Sequence, residues 1–305
     1  MVAKWDEKLK PLSGTLRGAK IHTCLISHKQ ELLFQYFKNV KAEKKLHKIN
    51  SCTKSITSSL IGIAYDRGLL PELSTPISEF FPAFAREGTD ERKRLITIDH
   101  LLTMSPGFDW PEMGEWGGWP QMIHSPNWVN YVLDRPLLQA PGESMNYNSG
   151  CSHLLLAILQ KQTNQSVKQF AEQYLFSPLK FGDYIWHEDP QGIPIGGFGI
   201  HMAVQDMHKF GELYLNNGKW GSKRLISEQW IALTTRPEYA TYDFFGPYGR
   251  HWWTCTTSTG EPFYFAMGMG GQYICVVPSE EIVITMTSDT HGYTGNPMQI
   301  IKSLL

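Results

Sequence analysis

The sequence predicts a mixed α/β protein of the α+β type, built on an antiparallel sheet with helices packed against it. Two observations predict this class. Short runs rich in β-branched and aromatic residues, which are typical of strands, concentrate before residue 40 and after residue 250. Longer apolar runs at helical spacing lie between them. We therefore expect the sheet to be assembled from both ends of the chain.

Composition bears on the class of function. The 305 residues are enough for one large domain or two fused ones. With 28 basic and 29 acidic residues, the chain has no overall field that would attract nucleic acid or an anionic membrane surface. The one local basic run, Lys41, Lys44, Lys45 and Lys48, is interpreted as a solvated face.

The residue pattern predicts a cytoplasmic protein with no metal and no cofactor. Met1 to Lys10 is charged and lacks the apolar region of a signal peptide, and no later apolar run approaches membrane-spanning length. The five cysteines are odd in number, scattered and without C-x-x-C spacing, which favours reduced, mostly buried thiols. His201 and His208 lie two helical turns apart, but the sequence places no third metal ligand beside them.

The first elements are predicted to be a β-hairpin and a buried helix. Ile21 to Ser27 and Glu31 to Phe37 are runs of β-branched and aromatic residues separated by three polar residues, which is typical of a hairpin. The apolar residues from Ile56 to Leu70 recur at helical spacing and crowd more than one face. This pattern indicates a helix buried in the protein rather than one lying on its surface.

Ser51-Cys52-Thr53-Lys54, at the start of that helix, is a nucleophile-and-base candidate. Ser and Lys three residues apart lie on one helix face, so the lysine amine can reach the serine hydroxyl. Chance supplies about one S-x-x-K in such a chain, and the sequence has a second, Ser177 to Lys180, which we interpret as a turn. Burial would lower the pKa of Lys54, and a neutral amine can accept the serine proton. Cys52, a rival nucleophile, is expected to point about 100° away from Ser51.

A loop rich in glycine and tryptophan follows. A short helix is predicted over Leu101 to Met104, with Asp99 as its cap. From Ser105 to Asn130, glycines are interleaved with tryptophans that include Trp110 and Trp116. Two interpretations stay open: a loop pinned to the body of the protein by its aromatic side chains, or a lid or apolar wall of a substrate site.

The tyrosine motif Tyr147-Asn148-Ser149 immediately precedes another apolar helix, predicted over Gly150 to Gln162. A helix N-terminus that emerges from a turn often presents polar side chains into a cleft, although Ser149 can equally be the helix cap. A further helix is predicted from Val204 to Leu215.

The last third of the chain is predicted to be an antiparallel meander followed by a short helix from Pro297 to Leu305. Between two of its strands lies Gly268-Met269-Gly270-Gly271, where missing side chains would let a ligand approach the backbone closely. The predicted strands are His251 to Thr256, Pro262 to Met267, Gln272 to Val277 and Ile282 to Ser288.

Taken together, these motifs resemble the serine β-lactamase and penicillin-binding-protein superfamily, most of all its class C-like hydrolase and esterase branch. The resemblance covers nearly the whole chain, and Tyr147 to Gly150 and Gly268 to Tyr273 are most similar to the nylon-oligomer-hydrolase type. It implies a β-lactamase/transpeptidase-like fold, with a sheet domain from residues 1–66 and 196–305. A mainly helical lobe would cover residues 67–195, and the active site would lie in the cleft between the two.

The resemblance also implies roles for individual residues. Ser51 would be the acyl-forming nucleophile, Lys54 would take its proton, and Tyr147 would relay that proton to the leaving group, with either Lys54 or Tyr147 as the principal base. The backbone N–H groups of Ser51 and Met269 would form the oxyanion hole. Substrate contacts are expected from Ser149, Gly268, Gly270, Trp110 and Trp116.

Two departures from the family pattern bear on the substrate. The family's β-lactamases and peptidases usually carry Tyr-x-Asn and a late Lys-Thr-Gly, whose lysine helps to hold the substrate carboxylate. Here the tyrosine motif ends in Ser149, and Ala266-Met267-Gly268 replaces the lysine motif. Loss of a charge-assisted contact of about 1.5–3 kcal/mol predicts poor β-lactamase activity. The resemblance therefore implies a serine hydrolase whose partner is a small ester or amide substrate.

Three alternatives stay open. The chain can be a catalytically silent, ligand-binding member of the fold, or a true β-lactamase or DD-peptidase. An α/β-hydrolase with a Ser-His-Asp triad would depend on Asp289 and His291, but the G-x-S-x-G motif of that fold is missing. The sequence does not predict an oligomeric state.

Overall fold

The chain was analysed as a computed structural model, which describes residues 2–85, 88–112, 118–241, 245–289 and 295–305. The strands in these ranges are β1 (Ile21–His28), β2 (Glu31–Phe37), β3 (His47–Lys48), β4 (Tyr184–Trp186), β5 (Ile200–Met202), β6 (Lys219–Trp220), β7 (Lys223–Arg224), β8 (Trp253–Thr256), β9 (Pro262–Gly268), β10 (Gln272–Val277) and β11 (Ile282–Ser288). The α-helices are α1 (Val2–Leu9), α2 (Leu12–Gly18), α3 (Val40–Lys44), α4 (Thr53–Asp66), α5 (Ile98–Leu102), α6 (Trp119–His124), α7 (Trp128–Leu133), α8 (Ser149–Thr163), α9 (Val167–Ala171), α10 (Val204–Leu215), α11 (Glu228–Thr235) and α12 (Gly295–Leu304). Short 3-10 helices lie at Asn50–Cys52, Ile77–Glu79, Pro82–Ala85, Glu91–Leu95 and Pro278–Glu280, and a π-helical turn covers Glu172–Phe176.

The main sheet has six antiparallel strands in the order β2-β1-β11-β10-β9-β8. The N-terminal hairpin joins the C-terminal meander where β1 pairs with β11, from Ile21 opposite Ser288 to His28 opposite Ile282. The prediction that both chain ends build the sheet is therefore confirmed, as are the hairpin and the meander. The first strand of the meander begins at Trp253 rather than His251.

Apolar cores cover both faces of this sheet. Because neighbouring residues of a strand point to opposite faces, Ile274 and Val276 of β10 pack into the core that contains α4, α8 and α10. Cys275 and Val277 pack into the second core, on the side of α2 and α12. A strand buried on both faces needs an unbroken apolar run, and β10 has one.

Helix α4 is the buried helix that the sequence predicts. Every residue from Thr53 to Ala64 is buried, and the helix packs against α8 and contacts β9. Gly62 allows α11 to approach, because a Cβ atom there would lie 2.3 Å from the indole nitrogen of Trp230. The helix ends at Asp66, earlier than the predicted Leu70.

The segment between residues 67 and 195 is mostly helical where it is described, but one predicted cap in it is wrong. Helix α5 begins at Ile98, and Thr97 caps it by accepting the N–H of His100. Asp99 lies inside the first turn, where its carboxylate instead pairs with Arg250 at 2.6 Å. The residue numbers that divide a sheet domain from a helical lobe stay a prediction.

In the described ranges, none of the helices is both long and apolar enough to cross a membrane.

Candidate active site

Ser51 lies in the 3-10 turn Asn50–Cys52 that leads directly into α4. The turn lies close to the end of β9, because Gly268 presents no side chain: a Cβ atom there would lie 2.2 Å from the carbonyl oxygen of Ile49. Ser51 is half-buried and opens onto a cavity of about 310 Å³. The residues that line this cavity are Lys48, Asn50, Ser51, Glu112, Trp119, Ile123, Tyr147, Ser149, Phe198, Phe245, Trp253, Met267 and Met269.

The side chain of Lys54 is fully buried beside Ser51 and has three hydrogen-bond acceptors. Its Nζ lies 3.1 Å from Ser51 Oγ, 3.0 Å from Ser149 Oγ and 2.9 Å from the carbonyl oxygen of Gly197. Burial lowers the pKa of Lys54 from 10.5 to about 8, against the opposing effect of the Glu112 carboxylate. The amine therefore has a substantial neutral population near physiological pH, next to a serine hydroxyl.

Tyr147 lies just before α8, close to both Ser51 and Lys54. Its ring stacks on Trp253, with centroids 5.6 Å apart, and meets Tyr248 edge-on at 5.9 Å. Its phenol shares a hydrogen bond with Ser51, and Lys54 Nζ lies 4.7 Å from the centre of its ring. Burial raises the pKa of the Tyr147 phenol, so this group stays protonated at neutral pH.

Ser149 is the first residue of α8 but not its cap. Asn148 caps the helix, and its side-chain oxygen accepts the N–H groups of Gly150 at 2.8 Å and Cys151 at 3.2 Å. The hydroxyl of Ser149 is thus left to face Lys54. Of the two roles that the sequence left open for Ser149, the structure shows the cleft-facing one.

Glu112 is a cavity residue that the sequence analysis missed. Its carboxylate accepts the hydroxyl of Ser149, the backbone N–H of Ser149 at 3.1 Å and the indole N–H of Trp110. The only sequence signal was an acidic residue inside the aromatic loop, and such a residue is far more often a solvated one. Its partner lies 37 positions later, a distance that no local pattern spans.

The aromatic wall of the cavity is made of other residues than those expected. Trp110 is 2% exposed and packs edge-on against Tyr131, behind the wall rather than in it, so its position does not support direct substrate contact. Trp116 lies outside the described residues. Among the described residues, the indole rings that line the cavity belong to Trp119 and Trp253.

The glycine-rich turn after β9 passes beside Ser51. Met269 lines the cavity, and its carbonyl oxygen accepts the side chain of Asn50 at 2.6 Å, which ties the turn to the start of the Ser51 segment. Gly268 closes against Ile49, whereas Gly270 lines a neighbouring polar pocket. The structure therefore brings Met269 close to the candidate nucleophile but does not bring Gly270 into the same cavity.

Three other sequence interpretations are resolved by position. Lys48 is exposed, but it lies on the rim of the cavity rather than on a remote solvated face. Cys52 is fully buried and directed at the sheet, where its Sγ contacts the carbonyl oxygen of Gln272 at 3.6 Å, and burial raises its pKa. The second S-x-x-K, Ser177 to Lys180, forms a turn at a helix end, in which Ser177 and Lys180 are exposed.

Comparison with known proteins agrees with this arrangement. A family model described as Beta-lactamase matches residues 17–299. The chain belongs to the β-lactamase family. The fold rules out the α/β-hydrolase alternative; of its two supporting residues, Asp289 lines the neighbouring pocket and His291 lies outside the described residues.

Relatives of this β-lactamase-family chain are hydrolases. The 6-aminohexanoate-dimer hydrolase of Paenarthrobacter ureafaciens is 21% identical over 312 residues, which cover 94% of this chain and 79% of the relative. The structure of EstCE1, a hydrolase with promiscuous acyltransferase activity, has a TM-score of 0.78 at 16% identity and covers 99% of this chain and 98% of its own. A D-stereospecific amidohydrolase from Streptomyces sp. has a TM-score of 0.75 at 14% identity, with 98% of each chain covered. At these identities the structural likeness shows the shared fold.

Proposed function

We propose that this protein is a serine hydrolase that cleaves small esters or amides through an acyl-enzyme on Ser51. The observation that carries the proposal is the buried Lys54 amine, 3.1 Å from the Ser51 hydroxyl on the wall of a largely apolar cavity. A nucleophile within hydrogen-bond reach of a base of lowered pKa is the arrangement that acyl transfer requires.

The proposed reaction assigns the proton to Lys54 first. The neutral amine takes the proton of Ser51 as Oγ adds to the substrate carbonyl carbon, and backbone N–H groups of Ser51 and Met269 stabilise the oxyanion. Tyr147, whose raised pKa keeps it protonated, gives a proton to the leaving oxygen or nitrogen and is reprotonated from Lys54. Water then attacks the acyl-enzyme and gives its proton to the neutral Lys54 amine. Ser51 leaves from the second tetrahedral intermediate and takes that proton back from Lys54. Lys54 rather than Tyr147 is the principal base in this scheme.

The cavity favours a substrate whose groups next to the reacting carbonyl are mainly apolar. Its walls carry several aromatic rings and methionine side chains. Ala266, Met267 and Gly268 end strand β9 in place of the family's late lysine motif, and Glu112 adds a carboxylate to the wall. An anionic β-lactam would lose a charge-assisted contact and meet a negative charge, so neutral esters and amides are the better substrates.

The names of the relatives support hydrolysis of this kind, since they include an amidohydrolase and a dimer hydrolase. The competing proposal, a silent binding protein of the same fold, requires that Ser51 be unreactive. Reaction with a fluorophosphonate probe distinguishes the two, because only a serine activated by a base is labelled at a useful rate.

The deciding experiment compares Ser51→Ala with Ser177→Ala. Both serines belong to an S-x-x-K, but Ser177 is exposed and remote from the cavity. Purified protein is expected to release nitrophenol from a short-chain nitrophenyl ester. Ser51→Ala should lose nearly all turnover while its circular dichroism is unchanged, and Ser177→Ala should keep the wild-type rate. Substantial turnover in a folded Ser51→Ala protein would refute the proposal.

A further inference from the structure

The buried amine of Lys54 has three hydrogen-bonding neighbours, and the direction of each hydrogen bond depends on which atom carries the proton. A neutral lysine amine has two N–H groups and one lone pair, yet Lys54 Nζ has three neighbours at 2.9–3.1 Å: Ser51, Ser149 and Gly197. To act as a base on Ser51, the amine must direct its lone pair at Ser51 and its two N–H groups at the other neighbours. Gly197 offers a carbonyl oxygen, which can only accept. Ser149 offers a hydroxyl, which can either donate or accept.

We propose that Glu112 is a positioning residue: its carboxylate accepts the hydrogen bond of the Ser149 hydroxyl, so that Ser149 can only accept from Lys54. This inference rests on the proposed function of Ser51 and Lys54. With Ser149 held as an acceptor, Ser51 is the one neighbour among the described contacts of Lys54 Nζ that can donate to the amine.

The geometry of Glu112 supports this direction. An ionised carboxylate accepts hydrogen bonds and has none to give, and one of its oxygens lies against the hydroxyl of Ser149. The other oxygen is held by the backbone N–H of Ser149 at 3.1 Å and by the indole N–H of the buried Trp110. That backbone N–H belongs to the first turn of α8, where helix donors lack partners and negative charge is favoured.

Position 149 is where the chain departs from the Tyr-x-Asn motif of the family. An asparagine at position 149, as in the Tyr-x-Asn motif, would carry an amide oxygen, which can only accept a hydrogen bond. A serine at position 149 has no such fixed polarity. Ser149 and Glu112 together therefore supply what an asparagine supplies alone.

The test uses Glu112→Gln, Ser149→Asn and the double variant, with nitrophenyl ester hydrolysis as the assay. A glutamine can donate to Ser149 and release its hydroxyl proton towards Lys54, so Glu112→Gln is expected to lower kcat by about 10²-fold, the scale of a lost general base. KM should change little. In the Ser149→Asn background, where the acceptor is built in, the same Glu112→Gln change should have an effect of less than about 3-fold.

A second readout is the pH profile of kcat/KM. Glu112 opposes the effect of burial on the pKa of Lys54, so its removal should move the acid limb of the profile to lower pH. The other groups around the amine, which the variants keep, are Tyr147, Cys52, Cys151 and the buried, neutral His251.

The outcomes separate this proposal from the one on which it rests. Turnover that survives Ser51→Ala refutes the proposed function. If Ser51→Ala is inactive but Glu112→Gln keeps wild-type kcat, or loses the same factor in both backgrounds, only the positioning role is refuted. An inactive Ser149→Asn enzyme also refutes it, because an acceptor at position 149 should then be sufficient. A merely structural role for Glu112 predicts equal losses in both backgrounds.

Discussion

The pH dependence of the rate follows from the burial of Lys54. With a pKa of about 8, roughly 10% of the amine is neutral at pH 7, whereas a lysine with the ordinary value of 10.5 would be about 0.03% neutral. Burial therefore raises the population of the competent base about 300-fold at that pH. We expect kcat/KM for a nitrophenyl ester to rise tenfold per pH unit below pH 8, to reach half its maximum at about pH 8, and to level off above it.

Initial rates in a constant-ionic-strength buffer series from pH 6 to pH 10, corrected for spontaneous ester hydrolysis, measure this profile. The raised pKa of Tyr147 means that its phenol contributes no descending limb in that range. Lys54→Arg is the matched variant, because a guanidinium keeps the positive charge but cannot be deprotonated in a protein. On the plateau above pH 8 it should lose about 10³-fold in kcat/KM, and its profile should lack the rise centred at about pH 8.

Three results would contradict the reasoning. A flat profile from pH 6 to pH 10 would mean that no group with the pKa of Lys54 has to lose a proton. A half-maximum near pH 6.5 would assign the base to a histidine rather than to Lys54. That histidine would not be the buried His251 near Lys54, because burial lowers the pKa of His251 to about 3. High activity in Lys54→Arg would also exclude the amine as the base.

Two further predictions concern stability and the glycine-rich turn. The lowered pKa of Lys54 disfavours the folded state by about 3 kcal/mol at pH 7, and this penalty should disappear as the pH rises from about 8 to 10.5. The Lys54→Met variant removes the penalty but leaves the carbonyl of Gly197 without its donor. The unfolding free energy of this variant, measured in urea, should therefore equal the wild-type value or exceed it by up to about 2 kcal/mol. Gly268→Ala would place a Cβ atom against the carbonyl oxygen of Ile49 and displace the turn, and should lower kcat about 10²-fold. Gly14→Ala is the control, because a Cβ atom there meets nothing within 4 Å, and it should keep the wild-type rate. Equal rates in the two variants would refute this role of the turn.

The parts of the fold that could be predicted are those whose signal is local. The hairpin, the closing strands and helix α10 follow from residue periodicity, which a short window of sequence contains. The predicted cap of α5 was wrong because Thr97 and Asp99 are both good capping residues. In the structure Thr97 caps the helix, while Asp99 pairs with Arg250, which lies 151 positions away and is not visible to a local pattern.

The candidate site shows the same division. Ser51 and Lys54 are one helical turn apart, so their contact could be predicted, and Tyr147 was found through a motif. The position of Glu112 depends on a loop that folds back onto the N-terminus of α8. That Trp119 rather than the expected Trp110 lines the cavity depends on which face of the loop is turned inward. Neither is encoded in spacing.

The pairing of β1 with β11 and the contacts of the Ser51 turn with the end of β9 have a consequence for how the protein is made. Asn50 and Cys52, early in the chain, are held by the backbone of Met269 and Gln272, about 220 positions later. A nascent chain on the ribosome can form helix α4, but it cannot close the sheet or fix the nucleophile until the last strands have emerged. Incomplete chains are therefore expected to lack the assembled site around Ser51.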